Sequence, residues 1–177
     1  MCLSLKNVKL IKPTLELKDE YLNMIEEWDQ FDDKIVPWVQ NVNTLDFDEM
    51  VSKFEDDSHG IGIKEGYVPQ STYWLVRNDN KVLGVINIRH ALNAKLMNRG
   101  GHIGYGVRLS ERGKGYASEM LRLALKIVKS MEIGRVLITC DKRNISSART
   151  IVGNGGILHS EGIDNGIVFQ RYWVDLD

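Results

Sequence analysis

The sequence predicts a mixed α/β (α+β) fold: a central, mostly antiparallel sheet with one parallel pair in its middle, flanked by about four helices. Three observations predict it. Strand-like runs joined by short turns lie at 72–88 and 157–174, which makes antiparallel neighbours there. Between them, a long helical stripe (Ala117, Met120, Leu121, Ala124, Ile127, Val128, Met131) separates two apolar strands, a β-α-β unit that requires a parallel pair. A chain of 177 residues, 43% of them hydrophobic, can bury one core without a disulfide or metal staple, so residues 1–177 are expected to form a single domain.

Taken in order, Val8 to Ile11 reads as a first strand, ended by Pro13 and Thr14. A helix follows, with Tyr21, Ile25 and Trp28 at i, i+4 and i+7. Residues 34–45, with Pro37 and Trp38, read as a loop. Asp46 to about Phe54 reads as a second helix with Phe47, Met50, Val51 and Phe54 on one face. Asp57 to Gln70 reads as a loop from its breakers Gly60, Gly62, Gly66 and Pro69. Thr72–Arg77 and Val82–Ile88 form a hairpin about Asn78-Asp79-Asn80, and residues 91–99 read as irregular. His102 to Val107 is a strand, and the helix after it runs from about Gly115 to Ser130. Arg135 to Cys140 is a continuous run suited to a strand buried on both faces. Asn144 is a fitting N-cap for a short helix to about Val152. Ile157–Ser160 and Ile167–Val174 are the last strands, joined by Asp164-Asn165-Gly166, and Asn-Gly is the preferred type I′ pair.

Composition excludes several classes. A net charge of −1 argues against nucleic acid as a partner. No apolar run approaches the ~18 residues of a membrane span. Met1 to Leu5 lacks a basic n-region, so no signal peptide is expected. Cys2 and Cys140 are expected to be free thiols in a reducing, cytoplasmic setting. His59, His90, His102 and His159 have no short metal spacing, so no metal is expected. The net charge conceals an asymmetry: residues 1–83 hold 9 Lys and Arg against 16 Asp and Glu, whereas residues 84–177 hold 14 against 8. Of the 16 glycines, 13 follow residue 83.

The segment Gly104-Tyr-Gly-Val-Arg-Leu-Ser-Glu-Arg-Gly-Lys-Gly-Tyr-Ala-Ser118 carries the chemistry. A strand ends, a turn follows, and a helix opens on Gly113-Lys114-Gly115. A helix start offers unpaired N–H groups and partial positive charge, and glycine lets an anion approach the backbone closely. Arg112 and Lys114 add positive charge. Together they suit a phosphate group; a tight loop needing glycine only for its backbone angles is the plainer alternative. A P-loop is a poor match, because Gly115 stands where the magnesium-binding hydroxyl should be. A dinucleotide fingerprint is a poor match too, because five residues separate Val107 from Gly113 and the flanking strands are antiparallel.

In these residues the chain resembles the GNAT (Gcn5-related) N-acetyltransferase superfamily, in a bacterial branch of predicted acetyltransferases. That family's acetyl-CoA motif is Arg/Gln-x-x-Gly-x-Gly/Ala, and Arg112-Gly-Lys-Gly115-Tyr-Ala117 supplies it in full. The Asn-led helix from Asn144 and Asn154-Gly155-Gly156 extend the likeness, which covers roughly 72–175. The resemblance implies acetyl-CoA as co-substrate, its pyrophosphate on the backbone of Gly113, Lys114, Gly115, Tyr116, Ala117 and Ser118. It implies the pantetheine arm beside Tyr105, Gly106 and Val107, in a V between splayed parallel strands, with Asn144 and Ser147 nearby. Residues 1–71 would form the acceptor side and 72–177 the sheet and CoA core.

Acyl transfer to an amine needs the amine neutral, hence a base. Several family branches place a glutamate just before Ile on the fourth strand, and here His102 precedes Ile103. Its ordinary pKa near 6.5 suits a base at neutral pH. His90 is the second candidate. The family's usual acid, a tyrosine seven residues after the motif Asn, is replaced by Ile151. A cysteine route through Cys140 fits poorly with its apolar strand. The expected reaction is acetyl transfer to a small-molecule or peptide primary amine by direct attack in a ternary complex; the alternative is an acyl-CoA-binding or sensing module. Phe31, Trp38, Tyr67 and Trp74 are offered as acceptor-side residues. The acidic first half favours a cationic acceptor. A homodimer is among the assemblies expected.

Overall fold

The computed structural model describes residues 7–30 and 46–176. Cys2, Phe31, Pro37, Trp38 and the loop expected over 34–45 lie outside the described residues. The strands are β1 (Val8–Ile11), β2 (Gln70–Arg77), β3 (Val82–Arg89), β4 (Ile103–Val107), β5 (Arg135–Asp141), β6 (Ile157–Asp164) and β7 (Ile167–Asp175). They make one seven-stranded sheet in the order β1-β2-β3-β4-β5-β7-β6. Every neighbouring pair is antiparallel except β4 with β5. Among the described residues the α-helices are α1 (Lys18–Gln30), α2 (Phe47–His59), α3 (Ala94–Asn98), α4 (Tyr116–Ser130) and α5 (Ile145–Gly153).

Helices pack on both faces of the β2/β3 part of the sheet. On one face, Tyr21, Met24, Ile25 and Trp28 of α1 and Phe47, Met50 and Phe54 of α2 pack on Trp74, Val76, Val82 and Val85. On the other, Met120, Leu121, Ala124 and Val128 of α4 and Ile151 of α5 pack on Leu75, Ile86, Ile88, Ile103, Val107 and Ile138. Alternation along β4 therefore turns Ile103, Tyr105 and Val107 to α4, and only glycines, Gly104 and Gly106, to the α1/α2 face.

Three elements depart from the expected bounds by more than two residues. Helix α2 runs on to His59 where a loop was expected from Asp57. An i,i+4 pair, Lys53 to Asp57 at 2.8 Å, supports the extra turn, and Gly60 closes it in the left-handed region at φ +73°. Residues 94–98 form α3 rather than irregular chain, because the Asn93 side chain accepts a hydrogen bond from Leu96 N at 2.9 Å. Strand β6 reaches Asp164 rather than Ser160. Positive φ at both Asn165 (48°) and Gly166 (77°) makes the tight turn that pairs Asp164 with Ile167.

The end of β4 is anchored to α1 by one buried arginine. Arg108 donates to Glu27 Oε1 at 2.6 Å, to Glu20 Oε2 at 3.2 Å and to Asn23 Oδ1. Glu27 also accepts from Ser110 N and Ser110 Oγ, both at 3.3 Å. The turn from β4 into α4 is thus fixed in position before any ligand arrives.

Candidate active site

Strands β4 and β5 pair at one position, Ile103 with Ile138, and diverge beyond it. The divergence begins at a tight crossing. Gly101, at φ +62°, lies so close to β5 that an added Cβ would collide with the Leu137 carbonyl oxygen. His102 N donates to that same oxygen at 2.7 Å. His102 Nδ1 in turn accepts from Leu137 N at 2.9 Å. A side chain thus supplies the acceptor for Leu137 N at the start of the paired region.

This geometry bears directly on His102 as a base. The Leu137 N–H occupies the Nδ1 lone pair, which places the ring proton on Nε2. The nitrogen free to meet a ligand is therefore a donor. Burial, aided by the nearby Arg89 charge, holds the pKa down to about 4, so the ring is neutral at pH 7 and only weakly basic. His90, at the end of β3, pairs its Nε2 with Ser71 Oγ at 2.8 Å, and burial lowers its pKa as well.

Past the splay, β4 leads through a single 3-10 turn, Leu109–Glu111, to the start of α4. Gly113 (φ +74°) and Gly115 (φ +85°) are both left-handed, and Gly115 occupies the N-cap without a side-chain cap. Among the described residues, no backbone acceptor meets the N–H groups of Gly113, Lys114, Gly115, Tyr116, Ala117 or Ser118. Such a run of unpaired N–H groups with alternating backbone hand is a concave anion-binding nest. The charged side chains of the segment face elsewhere: Lys114 bonds Glu111 at 2.9 Å, and Arg112 Nε donates back to Val107 O at 3.2 Å. The backbone, rather than these cations, presents the open donors.

Across the splay, Tyr105 of β4 reaches α5, its hydroxyl 2.9 Å from Ser147 Oγ. Burial raises the phenol to about 12, so it is protonated at neutral pH. Asn144 caps α5 by accepting from Ser147 N at 3.0 Å. Ile151 is fully buried against α4. Burial pushes the Cys140 thiol upward in pKa, away from the reactive thiolate. Tyr105→Phe should cost about 0.5–1.5 kcal/mol of stability by removing one partly buried hydrogen bond, measurable by urea denaturation.

Of the acceptor-side residues offered from sequence, Trp74 is fully buried and stacks on Tyr21 with ring centroids 4.6 Å apart, while Tyr67 is exposed. A cleft of about 300 Å³ opens between α2 and the β1/β2 edge, lined by Lys12, Val51, Phe54, Glu55 and Thr72 among others. None of the residues lining it belongs to the nest or the splay, although two of them, Ser71 and Thr72, hydrogen-bond His90 and Asn87. Sequence reasoning missed Arg89, which donates to Gly100 O at 3.2 Å and Gly101 O at 3.1 Å and fixes the crossing over β5. The glycine pair lies between α3 and β4, and no local signal in the sequence names Arg89 as its partner.

A splayed parallel pair leading into a backbone nest at a helix start places an open cleft beside an anion-binding site. The chain matches the family model for the acetyltransferase (GNAT) domain over residues 8–156, and it belongs to that family. Solved structures agree. The microcin C7 self-immunity acetyltransferase MccE, in complex with acetyl-CoA and AMP, superposes with a TM-score of 0.68 at 19% identity, covering 96% of this chain and 92% of that one. The ribosomal L7/L12 α-N-protein acetyltransferase RimL, in complex with coenzyme A, gives 0.69 at 18% identity over 97% and 96%. A chimera of the spermidine N-acetyltransferase SpeG from Vibrio cholerae and hSSAT gives 0.64 at 12% identity over 96% of each chain. No functionally curated protein matches the sequence significantly. No helix among the described residues is long and apolar enough to cross a membrane.

Proposed function

We propose that this acetyltransferase uses acetyl-CoA to acetylate a primary amine by direct attack in a ternary complex. The observation that carries the reading is the unpaired N–H run from Gly113 to Ser118, at the mouth of the β4/β5 splay. In this reading those N–H groups hold the CoA pyrophosphate, and the pantetheine arm lies along Tyr105, Gly106 and Val107, near Asn144 and Ser147. The acetyl-CoA and CoA complexes of MccE and RimL support that choice of co-substrate. The amine nitrogen attacks the thioester carbonyl, the C–N bond forms and the C–S bond breaks. The amine proton leaves through water, with His90 as the side-chain candidate, and the sulfur leaves as thiolate to be protonated.

The glycine-only face of β4, Gly104 and Gly106, supports an acceptor approach from the α1/α2 side, because no β4 side chain obstructs the backbone there. One observation favours the second reading, an acyl-CoA-binding or sensing module: Ile151 fills the place of the family's acid and can donate no proton. Thiol release from acetyl-CoA with a panel of amines separates the two. Amine-dependent release supports the transferase; tight CoA binding with no amine-dependent release overturns it. Calorimetry with acetyl-CoA tests the nest itself.

A further inference from the structure

Several arginines of the sheet and its borders have a carboxylate partner among the described residues, and Arg171 of β7, which has none there, donates to Asn98 O, Asn98 Oδ1 and Glu161 O instead. Arg77 meets Asp79 and Glu111, Arg99 meets Asp141 and Asp164, and Arg108 meets Glu20 and Glu27. Arg89 is half-buried, and among the described residues no carboxylate lies within ion-pair distance of it. One terminal nitrogen bonds the carbonyls of Gly100 and Gly101; its remaining guanidinium N–H groups have no acceptor there. Burial pulls its pKa below the usual value, with no opposing charge to restore it. A shielded charge is costly unless it is paired.

Its neighbours are also unsatisfied. Arg89 N donates to His102 O at 2.8 Å, so the two residues are adjacent across β3 and β4. His102 presents a neutral ring whose Nε2–H has no acceptor among the described residues. Asn87 lies two residues before Arg89 on the same face of β3, about 7 Å along the strand. Its Nδ2 donates to Thr72 Oγ1 at 3.2 Å, while its buried Oδ1 has no partner among the described residues. Gly104, which pairs with Asn87, adds no side chain to that row. The result, among the described residues, is a cation and a donor without acceptors beside an acceptor without a donor, on the sheet face opposite α4 and next to the origin of the splay.

We propose that Arg89, with the Nε2–H of His102 beside it, binds an anionic oxygen group, a carboxylate or a phosphate, on the acceptor molecule. The acetylated amine then belongs to a molecule that also carries an anion, with Asn87 Oδ1 available to the amine end. A planar guanidinium suits either oxyanion, through paired N–H···O bonds. The acidic first half of the chain, which favours a cationic acceptor, is compatible with such a molecule because its amine supplies the positive end. The assignment of this anion to the acceptor rests on the acetyl-transfer reading above; the anion site itself does not.

The test therefore has two arms. In the first, nitrogen-15-labelled protein is titrated separately with acetate and with inorganic phosphate, at ionic strength matched by chloride. A saturable shift of the Arg89 Nε–H and His102 Nε2 signals is expected with one of them, which identifies the anion. The His102 Nε2 shift, the one signal that all variants retain, should vanish in Arg89→Gln, which keeps a donor for the Gly100 and Gly101 carbonyls, and persist in Arg89→Lys. No shift with either anion overturns the proposal. In the second arm, acetyl-CoA turnover is compared for glycine against glycinamide and for O-phosphoethanolamine against ethanolamine. Wild type should prefer the anionic member of one pair by at least about tenfold in KM, and Arg89→Gln should bring that ratio near one. A ratio unmoved by Arg89→Gln overturns the proposal. A positive titration without turnover of any amine would leave the anion site standing and remove the transferase reading instead.

Discussion

Replacing Gly115 with valine is expected to weaken coenzyme A binding by about a hundredfold or more, roughly 2.7 kcal/mol. Two effects add. At φ +85° the residue lies in the left-handed region, where a β-branched side chain is strained. Forcing the backbone out of that region turns the N–H groups of Gly115 and Tyr116 away from their common direction, so charge-assisted bonds to a pyrophosphate are lost. Gly113→Ala is the internal comparison. Its Cβ would meet nothing within 4 Å, so only the strain at φ +74° applies, and a smaller loss is expected. Calorimetric titration with CoA checks both, with circular dichroism to confirm that α4 persists. A Gly115→Val protein that binds CoA within threefold of wild type would remove the nest from the binding site.

The contrast between these two glycines marks how far the sequence could be read. The Arg112-x-x-Gly115-x-Ala117 spacing, its strand before and its apolar stripe after are local features, and local features set the backbone there. The same holds for the Asn165-Gly166 turn and the Asn144 cap. The cap at Asn93 is equally local, but the five residues of α3 (Ala94–Asn98) are too few to show a helical period. What the chain could not disclose are contacts between distant residues. His102 reaches Leu137 over 35 positions, and Tyr105 reaches Ser147 over 42. A histidine before Ile103 reads as a base by position alone. Only the pairing of β4 with β5 reveals that its lone pair is already engaged. That Arg89 meets no carboxylate among the described residues is equally invisible in sequence, because it depends on which carboxylates the fold brings near and which it takes elsewhere.

His102→Ala and His102→Asn should therefore behave differently. Alanine leaves the Leu137 N–H without its acceptor in a buried site, at a cost of about 1–3 kcal/mol, and loosens the origin of the splay. Lower stability and weaker CoA binding should follow together. Asparagine can offer Oδ1 where the imidazole offered Nδ1, so it should recover most of both, although it cannot act as a base. If His102 were the base instead, both variants would bind CoA normally and lose turnover by ~10²-fold. The pH dependence supplies an independent check. Burial first, and the Arg89 charge second, hold the folded pKa down to about 4, against 6.5 for the free side chain. Between those values the unfolded chain binds a proton that the native state refuses. His102 therefore makes stability rise with pH from about 4 to 6.5 and contributes no further slope above that window. Urea midpoints measured across the window should show that slope in wild type and a flatter one in His102→Asn. An unchanged slope would mean that the imidazole titrates freely, and so does not hold the Leu137 N–H as the splay requires.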